Sequence, residues 1–495
     1  MIKQEDINIL RNKKIETQSL FIGNKQIPAQ SEETIEVTSP IDGKFLTTIA
    51  NANENDVDIA VTTARKSFES GSWSKAAPQE RKKILNKFAE LIEKNTIELA
   101  VLGVRDNGTE INMAIMAEPS SAAGCIRYYA ETIDKMYGEI APTSENILGL
   151  IHREPIGVIG AIIPWNFPLM IASWKFAPAL SAGNSVVIKP AESASLSLLR
   201  IAELAAEAGI PDGVFNVITG DGEITGKALA MHMDVDVIAF TGSGVVGRKI
   251  LEYSARSNLK RVYLELGGKS PNIVFADTQD IDKAVTQSLG GIFRNSGQVC
   301  VAGSRLIIEE AIADEFTDKL INESKKLIVG DPLDITSNIG AIASQDQLAK
   351  NLSYVKSAMA EGALLKSGGK QINQELGGFY MEPTVFSNIN SDMQIAQEEI
   401  FGPVLSILTC KDEAEAVKIA NATVYGLAAA VWTADISKAH RMVRSIRAGV
   451  VHVNCYGGAD LTVPLGGVKQ SGNGHDRSLH AIEKYTDLKT AWISL

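Results

Sequence analysis

The amino-acid sequence predicts an α/β fold in which the strands of parallel sheets alternate with helices. From residue 156 onward, short apolar runs alternate with segments of helical periodicity, as in a doubly wound parallel sheet with right-handed crossovers. The alternation pauses at a turn-rich segment around residues 267–271 and then resumes to about residue 451. The chain has 495 residues, more than one ordinary domain of roughly 100–200 residues. We therefore expect two α/β domains joined at that segment.

The part of the chain before residue 156 is predicted to be mainly helical. Two stretches place apolar residues at i, i+3 and i+4 spacing, which marks one buried stripe on each helix. The stripes are Val57, Ala60, Val61, Ala64 and Phe68, followed by Ile84, Leu85, Phe88, Leu91 and Ile92.

The first strand and helix block has five predicted strands and one sharply bounded helix. The strands are expected near residues 156–163, 186–188, 215–218, 235–240 and 262–266. The helix is expected from about 194 to 208, because Gly209 and Pro211 form a stop signal.

One uncharged stretch, residues 155–174, is about as long as the roughly 20 residues of a membrane-spanning helix. Pro164 and Pro168 would break such a helix and expose backbone polar groups to lipid. We predict a buried strand, a turn and the start of a helix here, and no membrane contact.

In the second block, an alternation of strands and helices is predicted to begin near residues 273–275 and to continue through residues 311–329 to about residue 451. The last stretch, residues 485–495, alternates weakly and is predicted to be an apolar edge strand that pairs with another subunit.

Composition restricts the class of function. The formal net charge of −11 disfavours a broad basic face for nucleic acid. The four cysteines are widely spaced and no secretory pattern precedes them, so we expect reduced thiols and a cytoplasmic enzyme acting on small molecules. His452 and Cys455 lack a second pair of ligands, and His475 and His480 lack a helical metal motif, so no metal site is expected.

Cys300 is the first candidate for chemistry, in the string FRNSGQVC at residues 293–300. A lone cysteine is more often a small buried hydrophobic residue than a nucleophile. A thiolate that attacks a carbonyl carbon needs donors for the developing oxyanion. We predict that the side chain of Asn166 and the backbone N–H of Cys300 supply them.

Glu265 is the second candidate, in LELGGKSP at residues 264–271. A carboxylate at the end of an apolar strand lies where a parallel sheet opens into its ligand crevice. There it would act as a general base for the water that hydrolyses a thioester. The alternative is a solvated or lysine-paired carboxylate at a strand end.

Two glycine-rich turns and one carboxylate suggest a dinucleotide site. TGSGVVG at residues 241–247 follows a strand and opens a helix whose free N–H groups would meet a pyrophosphate, and GDGEITG at 220–226 also follows a strand. Neither has the common G-x-G-x-x-G spacing, so an ordinary turn is the alternative. Glu192, in KPAE at 189–192, would bond the ribose hydroxyls and repel a 2′-phosphate, favouring NAD over NADP.

Six motifs in order resemble the NAD(P)-dependent aldehyde dehydrogenase superfamily over nearly the whole chain. They are PWNFPL at 164–169, KPAE at 189–192, FTGS at 240–243, ELGGK at 265–269, FRNSGQVC at 293–300 and EEIFGPV at 398–404. The resemblance implies that Cys300 is the nucleophile, Glu265 the general base and Asn166 part of the oxyanion site. It also implies cofactor contacts from Ile162, Trp165, Lys189, Glu192, Gly222, Gly242, Ser243, Val246, Leu266, Glu399 and Phe401.

The resemblance further implies a division of the chain and an assembly. A Rossmann-like NAD-binding domain would comprise residues 1–130 and 152–263, and a catalytic domain residues 264–477. Residues 131–151 and 478–495 would form a small β oligomerisation arm, in a homodimer or homotetramer.

Two further strings, KQSGNGHDRSLH at 469–480 and KTAWISL at 489–495, are similar to γ-glutamyl-γ-aminobutyraldehyde and related ω-aminoaldehyde dehydrogenases of polyamine catabolism. The substrate pocket implied by this similarity includes Phe167, Trp174, Asp460 and Leu465. Asp460 would attract an amino group, or else is a solvated loop carboxylate.

Two positions depart from the pattern of many relatives. His475 and Asp476 stand where Arg-Glu is common, which puts a proton relay through that carboxylate to Lys175 in question. Leu465 stands where Phe is common, so the pocket is expected to be wider or less aromatic.

Two other functions fit the same fold. One is a coenzyme A-acylating aldehyde dehydrogenase, which Glu265 disfavours because that branch typically lacks the general base. The other is a catalytically silent binding or structural protein, which the joint presence of Cys300, Glu265 and Asn166 disfavours. A general aliphatic or betaine aldehyde dehydrogenase is the alternative substrate assignment.

Overall fold

The computed structural model describes residues 3–458 and 460–495. Its strands are β1 (Leu20–Ile22), β2 (Lys25–Ile27), β3 (Thr34–Thr38), β4 (Phe45–Ala50), β5 (Glu139–Ala141), β6 (Ile147–Pro155), β7 (Val158–Ile162), β8 (Ser185–Lys189), β9 (Phe215–Val217), β10 (Val237–Thr241), β11 (Arg261–Glu265), β12 (Pro271–Val274), β13 (Arg305–Glu309), β14 (Leu364–Ser367), β15 (Gln371–Ile372), β16 (Tyr380–Met381), β17 (Thr384–Ser387), β18 (Val404–Cys410), β19 (Ala428–Trp432), β20 (Val450–Val453), β21 (Gly472–Asn473) and β22 (Thr486–Ser494).

The α-helices are α1 (Gln4–Arg11), α2 (Glu54–Ser70), α3 (Pro78–Lys94), α4 (Thr96–Asn107), α5 (Ile111–Ile115), α6 (Ser121–Thr132), α7 (Pro168–Ala182), α8 (Leu196–Ala208), α9 (Lys227–Met231), α10 (Gly244–Ala255), α11 (Ile281–Phe293), α12 (Ala313–Ser324), α13 (Gln345–Ala360), α14 (Gln394–Gln397), α15 (Glu413–Asn421) and α16 (Ile436–Ser445). The remaining helical segments are short 3₁₀ and π turns.

The first large sheet has the order β2-β1-β9-β8-β7-β10-β11-β21. Its five central strands are parallel, with β8 and β9 on one side of β7 and β10 and β11 on the other. The strand order therefore reverses between β7 and β10, and a ligand crevice is expected beyond the carboxyl ends of these two strands. One face packs against a core that includes α3, α6, α7 and α8, and the other against α2 and α9.

The second large sheet has the order β14-β17-β18-β13-β12-β19-β20. All of its pairings are parallel except that of β14 with β17. The chain passes from the first sheet to the second between the end of β11 and the start of β12, across the predicted joint. The α/β fold with two mainly parallel sheets is thus confirmed.

A three-stranded antiparallel sheet, β22-β6-β5, stands apart from the two large ones. The predicted C-terminal strand is present, but its partner is β6 of the same chain, over the register from Thr486 opposite Pro155 to Ser494 opposite Ile147. β6 occupies one edge of β22, so the expected pairing with another subunit would use the other edge and stays a prediction. The opposite edge of β22 has no strand partner among the described residues.

The predicted elements match the observed ones closely. The two helical stripes lie on α2 and α3, and the five strands of the first block are β7 to β11. The helix expected from 194 begins at Leu196, whose backbone N–H donates to buried Asp106 on α4 at 3.0 Å. Because that acceptor comes from a distant segment, the exact start of α8 was not visible locally.

The uncharged stretch at 155–174 folds as predicted, with β7 followed by a turn and by α7 beginning at Pro168. In the described part of the chain, no helix combines the length and apolar character that crossing a bilayer needs.

Candidate active site

The candidate site lies between the carboxyl edge of the first sheet and the amino edge of the second. Thr241 and Glu265 are opposite each other at the ends of β10 and β11. Cys300 approaches from the other side, on the segment that leads into β13. A crevice of about 160 Å³ is lined by Glu265, Cys300 and Asn166 together with cofactor candidates.

Cys300 follows an unusual turn. Asn295, Ser296 and Gly297 have φ values of 48°, 56° and 73°, three consecutive residues in the left-handed region. This conformation is costly for a residue with a Cβ atom, although asparagine tolerates it better than most. A Cβ on Gly297 would lie 2.1 Å from the carbonyl oxygen of Gly402, so this position requires glycine.

Buried hydrogen bonds hold that turn in place. Asn295 accepts from Thr109 Oγ1 at 2.9 Å through its Oδ1, and Ser296 Oγ donates to the carbonyl of Gly340 at 3.0 Å. Gln298 Oε1 accepts from the backbone N–H of Ala343 at 2.9 Å. The string around Cys300 is thus a rigid support that compensates the cost of left-handed backbone with tertiary bonds.

The thiol of Cys300 is the stable form in this environment. Burial raises its pKa to about 12, and the carboxylates of Glu399 and Glu265 contribute. A neighbouring base or positive charge is therefore needed when the thiolate attacks.

The side chain of Asn166 lies beside Cys300 in the same crevice. Its Nδ2 donates to the carbonyl of Gln298 at 2.9 Å, and its backbone carbonyl accepts from Asn295 Nδ2 at 3.2 Å. An amide nitrogen carries two hydrogens, so the second stays available for an oxyanion beside Cys300.

Glu265 is buried, and its Oε1 has no hydrogen-bond partner. Burial, with the nearby carboxylate of Asp476, raises the pKa of Glu265 well above its usual value. Asp476 is itself paired with the ammonium groups of Lys175 and Lys484, both buried. Although burial opposes it, these lysines hold the pKa of Asp476 below its usual range. The carboxylate at position 476 thus contacts Lys175, despite the departure His475-Asp476.

Several cofactor candidates line the crevice: Trp165, Gly242, Ser243, Leu266, Glu399 and Phe401. Ser243 caps α10 by accepting from the backbone N–H of Val246 at 3.3 Å. The positive end of this 12-residue helix therefore lies at the end of β10, where it would stabilise an anionic group such as a pyrophosphate. Ile162 is the last residue of β7 beside this position.

Glu192, Lys189 and Gly222 form a second group, at the end of β8. Glu192 Oε1 accepts from the backbone N–H of Gly222 at 2.7 Å and lies 3.4 Å from Lys189 Nζ. A half-exposed carboxylate held in this way can bond a diol, so the donor set suits the ribose of a dinucleotide.

The floor of the crevice is closely packed. Glu399 Oε1 accepts from the backbone N–H of Gly268 at 2.9 Å, and a Cβ on Gly267 would lie 2.2 Å from Glu399 Oε2. Phe401 meets Trp165 edge to face with ring centroids 5.2 Å apart. Burial raises the pKa of Glu399 to about 7.

A second cavity, also about 160 Å³, reaches Cys300 from the opposite side. Phe167, Trp174 and Leu465 line it, as expected of a substrate pocket. Asp460 does not; it is exposed, and its Oδ1 accepts from the backbone N–H and the hydroxyl of Thr462 at 2.8 and 2.6 Å. These bonds hold the pKa of Asp460 below its usual value.

Sequence reasoning missed several lining residues. Gln347 and Lys350 face the cofactor crevice, and Met113, Met170, Arg294 and Arg477 face the substrate cavity. Gln347, Lys350 and Met113 lie on helices outside the recognised motifs. Met170 directly follows PWNFPL, and Arg294 and Arg477 lie inside FRNSGQVC and KQSGNGHDRSLH, but spacing along the chain does not show which of these side chains face a cavity. No cluster of three or more potential metal ligands occurs in the residues described.

Comparisons with known proteins agree with this geometry. The model of the aldehyde dehydrogenase family matches residues 27–491. The NADP/NAD-dependent aldehyde dehydrogenase PuuC of Escherichia coli K12 is 48% identical over 476 residues, 96% of this chain and 95% of that protein.

Two solved structures each cover 100% of both chains with a TM-score of 0.98. An indole-3-acetaldehyde dehydrogenase in complex with NAD+ is 50% identical, and the γ-glutamyl-γ-aminobutyraldehyde dehydrogenase of Burkholderia cenocepacia J2315 is 48% identical. With a family match over most of its length and these full-length relatives, the chain belongs to the aldehyde dehydrogenase family.

Proposed function

We propose that the protein oxidises an aldehyde to the carboxylate with NAD, through a thioester on Cys300. The observation that carries the proposal is the meeting of two cavities at one thiol. Cys300 and Asn166 line both the crevice of the first sheet and the opposite cavity, and Glu265 lines the former. Such an arrangement lets cofactor and aldehyde approach one reacting carbon from two sides.

The cofactor assignment rests on polar groups along the carboxyl edge of the first sheet. The N-terminus of α10 suits a pyrophosphate, and Glu192 suits a ribose diol. The similarity to an enzyme crystallised with NAD+ supports the same choice. NAD, when bound, supplies the two-electron acceptor that turns the thiol adduct into a thioester.

Residues of this chain carry out the other steps of the reaction. The thiol of Cys300 releases its proton to solvent, its sulfur bonds to the aldehyde carbon, and the carbonyl oxygen becomes an oxyanion. Asn166 Nδ2 and the backbone N–H of Cys300 stabilise that charge. Because the adduct forms in a buried site, its hydrogen bonds are stronger than they would be in water.

Glu265 then removes a proton from the water that attacks the thioester carbon. The carbon–sulfur bond breaks, the carboxylate product leaves, and Cys300 is released as the sulfur leaving group. A carboxyl group with a raised pKa holds such a proton well near neutral pH. The presence of Glu265 favours water over coenzyme A as the acyl acceptor.

For the substrate, we propose an aminoaldehyde or γ-glutamyl-aminoaldehyde of amine catabolism. The similarity to the Burkholderia γ-glutamyl-γ-aminobutyraldehyde dehydrogenase and the string at residues 469–480 support this class. A general aliphatic or betaine aldehyde dehydrogenase is the second candidate, favoured by the mainly apolar lining of the substrate cavity.

The deciding experiment follows NADH formation by absorbance with γ-glutamyl-aminobutyraldehyde, free ω-aminoaldehydes, betaine aldehyde and plain aliphatic aldehydes, with and without coenzyme A. We expect turnover without coenzyme A, and the highest kcat/KM for the proposed class. NADH formation that requires coenzyme A would contradict hydrolysis by Glu265, and no NADH with any aldehyde would overturn the proposed function.

Cys300→Ala is expected to lower turnover at least about 1,000-fold while NAD binding, measured by calorimetry, persists. The matched control is Cys410→Ala, in the core of the second sheet, which we expect to lower Tm but to retain turnover. Persistent turnover by Cys300→Ala would contradict the nucleophile assignment.

A further inference from the structure

The substrate cavity has two guanidinium groups with no carboxylate partner. Arg294 and Arg477 both line it. The Nε atom of each is buried without an acceptor, and Arg477 is only 5% exposed. Neither side chain forms an ion pair or donates a hydrogen bond to any of residues 3–458 and 460–495. Buried unpaired cations are costly, so they call for a ligand that would compensate them.

Three carboxylates around this cavity pair with neither arginine. Glu110, within electrostatic reach of Arg294, accepts from the backbone N–H of Asn295 and forms no ion pair with a described residue. Asp476, adjacent in sequence to Arg477, is held between Lys175 and Lys484. Asp460 bonds Thr462 and lies outside the lining of the cavity. No carboxylate side chain of the described residues lines this cavity, so its charge is positive.

Arg477 is held in place by contacts that leave its hydrogen-bonding edge free. Its guanidinium lies over the ring of Trp174, 5.4 Å from the centroid. A guanidinium stacked on an aromatic ring keeps its N–H groups in one plane, ready for bidentate contact with a carboxylate. The backbone of Arg477 and Ser478 has positive φ values of 60° and 52°.

The other polar group of the cavity does not compete for an anion. Burial, together with Arg294 and Arg477, lowers the pKa of His452, so its imidazole is neutral at neutral pH. Because Arg294 and Arg477 both lower this pKa, both lie within electrostatic reach of His452. The remaining lining is largely apolar, including Met113, Met170 and Val299.

We infer that Arg294 and Arg477 form an anion-recognition site that selects aldehydes carrying a carboxylate remote from the carbonyl carbon. The inference rests on the proposed function and narrows its substrate class. A γ-glutamyl aldehyde carries such a carboxylate on its glutamyl end. Free ω-aminoaldehydes and betaine aldehyde carry only positive charge there, so the two arginines disfavour them.

A matched substrate series tests this selection directly. Three aldehydes of equal chain length end in a carboxylate, in its methyl ester and in an ammonium group, and kcat/KM with NAD is measured for each. We expect the carboxylate to exceed the ester by roughly 10-fold or more, as a charge-assisted hydrogen bond to arginine predicts. The ammonium compound is expected to be the poorest, and added salt should reduce the preference.

Arg477→Met and Arg294→Met remove the charge while keeping the apolar stem. In each we expect the ratio of kcat/KM for the carboxylate over the ester to fall roughly 10-fold, and Arg477→Lys should retain part of it. The control is Arg444→Met, an exposed arginine on α16, which should leave the ratio unchanged. A dicarboxylate used as a competitive inhibitor should lose affinity in the same two Met variants.

The outcomes separate the two proposals. No NADH with any aldehyde would contradict the proposed function itself. Turnover with equal kcat/KM for the acid and the ester in the wild-type protein would overturn only the anion site, and so would Met variants that keep the wild-type ratio. If the Met variants fail to fold, the wild-type series, its salt dependence and Arg477→Lys still decide.

Discussion

Among single residues, Glu265 has the most unusual environment for its proposed role. Its carboxyl is buried beside a second carboxylate, Asp476, which two lysines keep ionised. Two neighbouring carboxylates resist simultaneous ionisation, so the pair divides into one charged member and one with a raised pKa. In this arrangement Asp476 stays ionised between the two lysines, and Glu265 is the carboxyl group that gains and loses a proton.

The pH dependence of hydrolysis follows from this division. Glu265 must be ionised to accept a proton from water, and its raised pKa means that ionisation is completed only at higher pH. The rate of thioester hydrolysis is therefore expected to rise with pH along a limb displaced above the usual carboxyl range. Glu265→Gln should remove that limb and slow hydrolysis by about 100-fold or more.

Pre-steady-state kinetics shows which step of the reaction Glu265→Gln slows. A retained burst of NADH followed by slow turnover would place the loss in hydrolysis. Simultaneous loss of the burst and of turnover would contradict the role of Glu265 as the base for water.

Glu192 is expected to set the choice between NAD and NADP. Its carboxylate, bonded to the backbone of Gly222, would repel a 2′-phosphate. Glu192→Gln keeps the size and removes the charge, and we expect the ratio of kcat/KM for NADP over NAD to rise about 10-fold. Equal efficiency with both cofactors in the wild-type protein would contradict this role; the name of the relative PuuC includes both.

Among the elements, the connection from β11 to β12 joins the two sheets at the site. Gly268 lies where a Cβ would come within 2.4 Å of the carbonyl oxygen of Cys300. Its backbone N–H also donates to Glu399. One glycine thus allows the nucleophile segment to rest directly on the strand connection.

Gly268→Ala is expected to displace Cys300, lower turnover by at least about 10-fold and cost about 1–3 kcal/mol of stability. The matched control is Gly290→Ala, exposed on α11 with nothing within 4 Å of its Cβ. That substitution should be neutral or stabilise by about 0.5–1 kcal/mol. Kinetics and thermal unfolding of the two variants measure the difference, and unchanged turnover in Gly268→Ala would contradict the contact.

At the scale of the whole molecule, the three-stranded sheet exposes apolar side chains. Leu488 and Trp492 are four residues apart on β22, hence on one face, and are 61% and 67% exposed. Ile140, on β5 at the far edge of this sheet, and Ile493 are exposed on the opposite face. Clusters of exposed apolar groups of this kind mark contacts between proteins.

We therefore expect a homodimer or homotetramer assembled through this sheet. Light scattering with size-exclusion chromatography should give twice or four times the mass of the chain. The double substitution Leu488→Glu and Trp492→Glu should shift the protein toward lower mass, because it places charges in the apolar contact. A monomeric wild-type protein would contradict the oligomerisation arm.

Local patterns in the sequence were sufficient for much of this description. Apolar runs of strand length, helical stripes and the Gly209 stop gave the elements, because each depends on spacing along a few residues. The motifs around Cys300, Glu265 and Asn166 identified residues that the structure places around one crevice.

Other features depended on residues distant in sequence. The left-handed turn before Cys300 is held by Thr109 and Gly340, and the partner of β22 is β6, more than 300 residues earlier. Asp460, expected at the substrate mouth, is exposed, whereas Arg294 and Arg477 line the cavity instead. The sequence alone determined which elements form and which chemical groups are present, because propensity and spacing are local. Only the tertiary structure decided which charges face the substrate, because burial and pairing depend on segments that meet only when the chain is folded.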